Sequence, residues 1–435
     1  MIPASWNATR LSRPPTWTRS RTAETRVSLC SSTHRPMLHQ LLLAVRNLNP
    51  LQALEPKPPR SLRLAAPAPN RASGCSGMPH TLPQRPPCPA TTCSAQYEPR
   101  VVKHSLLHTN AGPIQRWRCK NCGHTFTRRT GTAYHRLRNP PSRFDRVAQM
   151  IVEGSTKAAT ARINGVSPAT VGRWSLRASQ FAARFADRAM REVIASELQA
   201  DELRGFTENK QSRQFVFVTL EVGARLWLST VVGRRTKRST RLLVRDSRRR
   251  IANGQSRILF TTDPFRYYRH ELRKAWGPTC LHVESGKAIR GGRVVRVRNR
   301  VTNGDGWQLE RVLARCEDSK KPNTSYIERL NLYIRRSLSY LHRRTPGLAG
   351  RHGKLEEAIR LLQCYYNFVR PHSSLPHKTK KDMITPAMQA KLVTRRLTLR
   401  DIFQSFGPRA RLPWLVNQEA RNEWGKDWAC SGSNS

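Results

Sequence analysis

The sequence predicts a mixed α/β fold, a sheet flanked by helices, preceded by a small cysteine-bearing unit and an all-α unit. Three observations carry this expectation. Beyond residue 195, strand-like runs alternate with a charged helical run, which is the rhythm of a mixed sheet with helices packed on it. Four cysteines cluster in two pairs between residues 88 and 122. A helix, a glycine turn and a capped helix then follow one another between residues 141 and 192. At 435 residues the chain has room for two or three domains and at least one sizeable core.

Residues 1–85 are rich in Pro, Ser, Thr and Arg and carry only two acids, Glu24 and Glu55. Such a segment cannot bury enough apolar surface to offset its ordering entropy, so it is expected to be a disordered or spurious extension. Its acid-poor composition also mimics an organellar transit peptide. Met78, just before the first organised motif, would be a natural beginning. Across the whole chain 78 Lys and Arg face 28 Asp and Glu, a formal charge of +50. That excess points to a polyanion, because cations that neutralise phosphates release condensed counterions. The apolar stretch "HQLLLAVRNL" is too short and interrupted to span a membrane. A cytoplasmic, nucleoid-associated protein is the expectation.

Residues 86–140 are read as a zinc ribbon. "RCKNCGHTF" supplies Cys119 and Cys122, and "CPATTC" supplies Cys88 and Cys93. In Cys-x-x-Cys-Gly the backbone N–H groups can point at the thiolates while glycine relieves the turn. Two such knuckles make a four-sulfur zinc site. The first pair is wider than usual, so His104, His108 and His124 stand as alternative ligands, and small buried cysteines as the plainer alternative. Ten scattered and clustered cysteines do not form a secreted disulfide pattern.

Residues 141–192 are read as a helix-turn-helix DNA-binding domain. Val147, Met150 and Ile151 fit one helix, and Ala159, Ala161 and Ile163 a second. Gly165 breaks it and Val166 packs under the turn. Ser167 caps a helix opening at Pro168, with Val171 and Trp174 inward. Ser167, Thr170 and Arg173 are then the candidate DNA contacts.

In the segment 195–395, "LQADELRGF", "QFVFVTLEV" and "RLWLSTVV" are strand-like, the last two joined by Gly223-Ala224-Arg225 as a hairpin. A helical "GRRTKRSTRLLVRDSRRRI" precedes a buried strand that ends at Asp263. "NTSYIERLNLYIRRSLSYLHRRT" reads as one long helix. Its buried stripe is Ile327, Leu330, Ile334, Leu338 and Leu341, and Glu328, Asn331 and Arg335 lie beside it. Asp201, Asp263 and Glu328 thus stand at strand positions and a helix edge. Clustered carboxylates in so basic a chain suit magnesium or manganese, which prefer oxygen ligands. Two such ions about 3.5–4 Å apart serve phosphodiester chemistry.

These residues resemble the transposases of the insertion sequence 1 family over about residues 86–390. The resemblance rests on "QADEL", "TTD", the "NTSYIERLN" helix and "YYNFVRPHSSL". It implies an RNase H-like catalytic domain with an Asp-Asp-Glu triad at Asp201, Asp263 and Glu328. It makes Asn331, Arg335, Arg343 and Arg344 expected DNA contacts. The implied substrate is double-stranded DNA, both terminal inverted repeats and target, cleaved and joined by a homo-oligomer. Residues 396–435 are left as a C-terminal tail.

Three features depart from the family. Pro264 stands where glycine is usual, and Pro264→Gly is expected to raise cleavage or leave it unchanged. The interval from Asp263 to Glu328 is long, includes the basic "GGRVVRVRNRVTNGDGW", and makes Asp305 and Asp318 rival metal ligands. The first cysteine pair is wide. The competing reading is a decayed or recruited sequence-specific DNA-binding protein. A structure-selective nuclease would lack a reason for two DNA-reading modules.

Overall fold

The computed structural model describes residues 85–93, 100–255, 257–316, 318–342, 349–376, 379, 383–408 and 414–416. The expected extension, apart from Arg85, lies outside the described residues, as do Arg343 and Arg344.

The chain is mixed α/β, as expected. A three-stranded antiparallel sheet comes first, β1 (Val101–Leu107), β2 (Ile114–Cys119) and β3 (Thr125–Thr127), in that spatial order. Its core is small: Cys88, Cys93, Val101, Trp117, Cys119 and Phe126.

Three helices follow: α1 (Pro141–Val152), α2 (Lys157–Asn164) and α3 (Pro168–Ala189). α2 opens on Thr156, whose hydroxyl accepts from the Ala159 N–H, and closes on Gly165 in the left-handed region, φ 58°. Ser167 caps α3 by accepting from the Thr170 N–H at 3.2 Å. Val171 and Trp174 are buried as expected, whereas Ile163 is 65 % exposed. α2 turns Thr160, Ala161 and Asn164 inward instead.

The main sheet has six strands in the order β6-β5-β4-β7-β8-β9. These are β4 (Glu197–Thr207), β5 (Asn209–Glu221), β6 (Leu226–Gly233), β7 (Ile258–Thr262), β8 (Cys280–Arg290) and β9 (Arg293–Asn303). β4, β7 and β8 run parallel, and the remaining pairs are antiparallel. The sheet is mixed because hairpins build its two edges while a helical crossover joins its middle. That crossover is α4 (Lys237–Arg250); α5 (Tyr267–Trp276) links β7 to β8. The basic stretch in the long interval between Asp263 and Glu328 belongs to the β8–β9 hairpin, followed by α6 (Gly306–Leu313).

Alternation along β4 distributes its side chains between two helical layers. Gln199 accepts from the Ile327 N–H of α7 (Ser325–Ser337), on one face. Glu202 faces the other way, toward Arg235 before α4. α7 is shorter than its apolar stripe predicts: Leu338 is extended and a 3-10 turn, Ser339–Leu341, follows. All five stripe residues are nevertheless buried.

α8 (His352–Phe368), α9 (Pro386–Gln389) and α10 (Leu399–Gln404) complete the structure. Asn367 of α8 bonds both the N–H and the carbonyl of Trp227 on edge strand β6. The boundaries expected at 192–195 and 395–396 do not divide the core. One hydrophobic cluster runs from Ala133 to Phe403 and takes in α1, α3, the sheet, α8 and α10.

Candidate active site and metal centre

The parallel pairing of β4 with β7 ends at Ala200 opposite Thr262. The next residues are Asp201 and Asp263, so strand register alone brings two carboxylates side by side. Here β7 stops while β4 continues against β5, and the gap opens onto solvent. α7 crosses in front of it. Its Asn331 donates from Nδ2 to Asp201 Oδ2 at 2.6 Å, and the Glu202 N–H donates to Asp201 Oδ1 at 2.7 Å. A cleft of about 610 Å³ lies there, lined among others by Asp201, Glu202, Glu328, Asn331, Arg335 and His342.

The electrostatics are those of crowded acids. Burial, then the charge of Asp263, push the Asp201 carboxyl up to about 7. Burial and the charge of Glu328 raise Asp263, while Lys287 and Arg235 oppose this. Glu328 is about half exposed; it pairs with Lys287 of β8 and accepts from Thr324 Oγ1 at 2.8 Å. The buried Oδ1 of Asn331 has no hydrogen-bond partner. A set of carboxylates with an unpaired amide oxygen is the donor chemistry of a hard divalent cation. The three carboxylates do not, however, converge to single-ion distance. Among the described residues only the four cysteines bring three or more potential ligand atoms all within 4.8 Å.

Glu202, Arg235, Tyr268, Lys287, Thr324 and His342 belong to this site and were missed in the sequence. Glu202 is buried on the opposite face of β4 from Asp201 and meets Arg235 at 3.3 Å. Burial raises its carboxyl, against the lowering by Arg235 and by the hydroxyl of buried Tyr268. Strand alternation beside Asp201 was a signal for Glu202. Lys287 had no local signal, because only the hairpin's path carries it to Glu328.

The rival acids are accounted for. Asp305 caps α6 by accepting from the Gln308 N–H, and Asp318 pairs with Arg225 at 2.7 Å. Pro264 is the middle of a three-residue turn, with the Phe265 N–H donating to the Asp263 carbonyl at 2.7 Å.

The Cys88, Cys93, Cys119 and Cys122 sulfurs form a cluster that can hold a metal such as zinc. Cys88 Sγ lies 3.6 Å from Cys122 Sγ, and Cys93 Sγ 3.7 Å from Cys119 Sγ. Zn–S bonds of about 2.3 Å at tetrahedral angles require sulfurs about 3.8 Å apart, whereas a disulfide requires about 2.05 Å. The sulfur spacing that the wide first pair reaches is therefore compatible with a metal site. Gly123, at φ 72°, makes the turn of the second knuckle, and its N–H donates to the Cys119 carbonyl. Burial pushes the Cys88 thiol up to about 12, so without a cation the thiolate is disfavoured. His104 is exposed and bonds Ser105; no histidine joins the cluster.

The expected DNA contacts fare unevenly. Ser167, Thr170 and Arg173 form one exposed chain, Ser167 Oγ to Thr170 Oγ1 at 3.0 Å and Arg173 Nη2 to Thr170 Oγ1 at 3.1 Å. Asn331 is buried and committed to Asp201. Arg335 donates to the carbonyls of Arg204 and Leu341, both at 3.4 Å. No helix among the described residues is long and apolar enough to cross a membrane. No protein-family model matches the chain, and no curated protein matches its sequence.

Proposed function

We propose that the protein is a DNA transposase resembling the insertion sequence 1 family, with β4 to β8 and their helices as an RNase H-like catalytic core. The observation that carries this reading is the β4–β7 register, which sets Asp201 beside Asp263 at the open end of a parallel strand pair, with α7 bringing Glu328. Asp201, Asp263, Glu328 and the Asn331 carbonyl would hold magnesium or manganese. When bound, such ions supply the positive charge that an anionic pentacovalent phosphorus transition state needs.

The chain's own residues set up that chemistry. Asn331 fixes the orientation of Asp201. Lys287 and Thr324 hold Glu328 at the mouth of the cleft. Arg235 pairs with the second acid, Glu202, and opposes the rise that burial imposes on its carboxyl. No side chain serves as nucleophile: water attacks in cleavage, and the freed 3′-hydroxyl attacks in strand transfer. The cysteine ribbon and the Ser167–Thr170–Arg173 surface would read terminal repeats. Bringing two DNA ends together requires at least a dimer.

One observation favours a second reading, a DNA-binding protein without catalysis: Glu328 is already tied to Lys287 and stands apart from the aspartates. Incubation with Mg²⁺ and labelled terminal-repeat DNA separates the two. Specific nicking is expected from the parent chain and none from Asp263→Ala. Tight repeat binding without nicking by the parent would leave the binder.

A further inference from the structure

The outer part of the β8–β9 hairpin extends beyond the body of the sheet. β8 is buried through Ser285 and exposed from Ala288 to Arg290; β9 is exposed from Arg293 to Arg300. Its tip is Gly291-Gly292, between the paired Arg290 and Arg293, with φ 58° and 74°. Positive φ at both central residues is what a tight two-residue hairpin turn requires, so the ribbon is built to continue to its end.

Register sorts its side chains. Glu284 pairs Arg300, Gly286 pairs Arg298, Ala288 pairs Arg296, and Arg290 pairs Arg293, all on one face. The irregularity between Ala288 and Ile289 absorbs Val295 and keeps Arg290 and Arg293 on that same face. Ile289, Val294 and Val297, each about half exposed or more, lie on the other. Five arginines thus share one face. None has a carboxylate partner among the described residues, a condition shared by other exposed arginines such as Arg213 and Arg245; what sets these five apart is that they share one face of one ribbon. Glu284, at the root, is already paired with Arg269.

Five guanidinium groups on one side of a narrow exposed ribbon repel one another, a repulsion that salt screens and that a bound polyanion would neutralise. Alternate residues of a strand are about 6.8 Å apart, which matches two nucleotide rises of about 3.4 Å measured along the DNA helix axis. A two-stranded ribbon also fits the major groove, about 12 Å wide. The root of the arginine face lies at the candidate site, because the side-chain position of Gly286, which pairs with Arg298, is 3.8 Å from Pro264 next to Asp263, while Lys287 on the other face reaches Glu328. We infer that the arginine face of the β8–β9 ribbon is a DNA-backbone binding arm that holds duplex next to the cleft. This rests on the proposed function in assigning DNA as the polyanion.

The test is the salt dependence of binding to a mixed-sequence 30-base-pair duplex, using the full chain. The variant R290Q/R293Q/R296Q/R298Q/R300Q should reduce the slope of log affinity against log salt by up to about 4.5, since each released contact contributes about 0.9. A control, R213Q/R245Q/R315Q/R396Q, removes exposed arginines elsewhere and should change the slope by less than about 1. Equal falls per arginine in both would show a diffuse field and overturn the arm, as would an unchanged slope in the ribbon variant. Folding of the variant is checked by an unchanged melting temperature. A second variant, V294T/V297T, should bind with the parent's slope. A parent that fails to bind duplex DNA at all would overturn the proposed function and this arm together, whereas binding with an unchanged ribbon slope sinks the arm alone.

Discussion

Asp201 is the residue on which stability and proposed chemistry oppose each other. Its carboxyl stands at about 7 in the folded chain against an ordinary value of 3.8. Between these values the folded state binds more protons than the unfolded one. Stability is therefore full below pH ~4 and falls as pH rises through 7. Asp201→Asn removes that penalty. It should be more stable than the parent at pH 8 by about 1–3 kcal/mol, allowing for screening at the open cleft, and should abolish cleavage. Mg²⁺ should raise the parent's melting temperature at pH 8 and not the variant's. Denaturation curves at pH 4 and pH 8, with and without Mg²⁺, check each part. Pro264 changes direction when seen in place. From the sequence alone, Pro264→Gly is expected to raise cleavage or leave it unchanged. The turn bonding Phe265 N–H to the Asp263 carbonyl needs a φ close to the one proline fixes. Glycine there should cost about 0.5–1 kcal/mol and lower cleavage several-fold, measured by urea unfolding and single-turnover nicking.

At the scale of elements, the small cysteine-bearing sheet has a thin core. Three of the six buried residues in its core are cysteines, and only Val101, Trp117 and Phe126 supply apolar bulk. A metal at the four sulfurs would therefore hold much of the unit together. Cys119→Ser should lose one equivalent of zinc by metal analysis, become protease-sensitive near residues 100–127, and lose repeat binding. The main melting transition should persist. The sequence made this unit legible because a Cys-x-x-Cys-Gly knuckle is a local signal. It made β5 and β6 legible through alternation around Gly223, and α3 through Ser167 and Pro168. Other elements were concealed for identifiable reasons. α7 ends at Leu338 without a glycine or proline, and the 3-10 turn after it keeps Leu341 buried, so the apolar stripe overstates the helix. Ile163 looked like a core position on α2, but Thr160 and Asn164 face the core, Asn164 by bonding the Thr160 carbonyl. The two glycines between Arg290 and Arg293 did mark a hairpin turn. The arginines around them masked the alternation that would have identified strands. Asp201 and Asp263 were legible as acids at a strand position and a strand end. Their adjacency was not, because it depends on pairing between strands separated by a crossover.

For the whole molecule, the decisive feature is that the helical layer and the main sheet share one core. α3 begins at the exposed Ser167–Thr170–Arg173 surface and continues until Phe185 packs edge-on against Phe368 of α8, at 5.0 Å between centroids. The stretch expected to be a tail closes the other end. Phe403 of α10 is fully buried, edge-on to Phe144 at 5.3 Å and to Tyr134 at 6.3 Å, and its carbonyl accepts from the Ala133 N–H. Arg400 pairs with Asp145 at 2.9 Å beside it, a half-exposed contact of small worth compared with the ring. Residues after 395 therefore complete the core that begins near residue 133. Phe403→Ala leaves a ring-sized cavity there and should cost about 3–5 kcal/mol. If the helices and the sheet were separate domains, calorimetry would show two transitions and the variant would shift only one. A shared core requires one main transition, lowered as a whole, with the fluorescence of Trp174 in α3 and that of Trp227 in β6 lost together. Variants retaining only one of these two tryptophans would check this directly. A lone shift of the Trp174 signal would show that the Ser167–Thr170–Arg173 surface and the cleft are not mechanically one body.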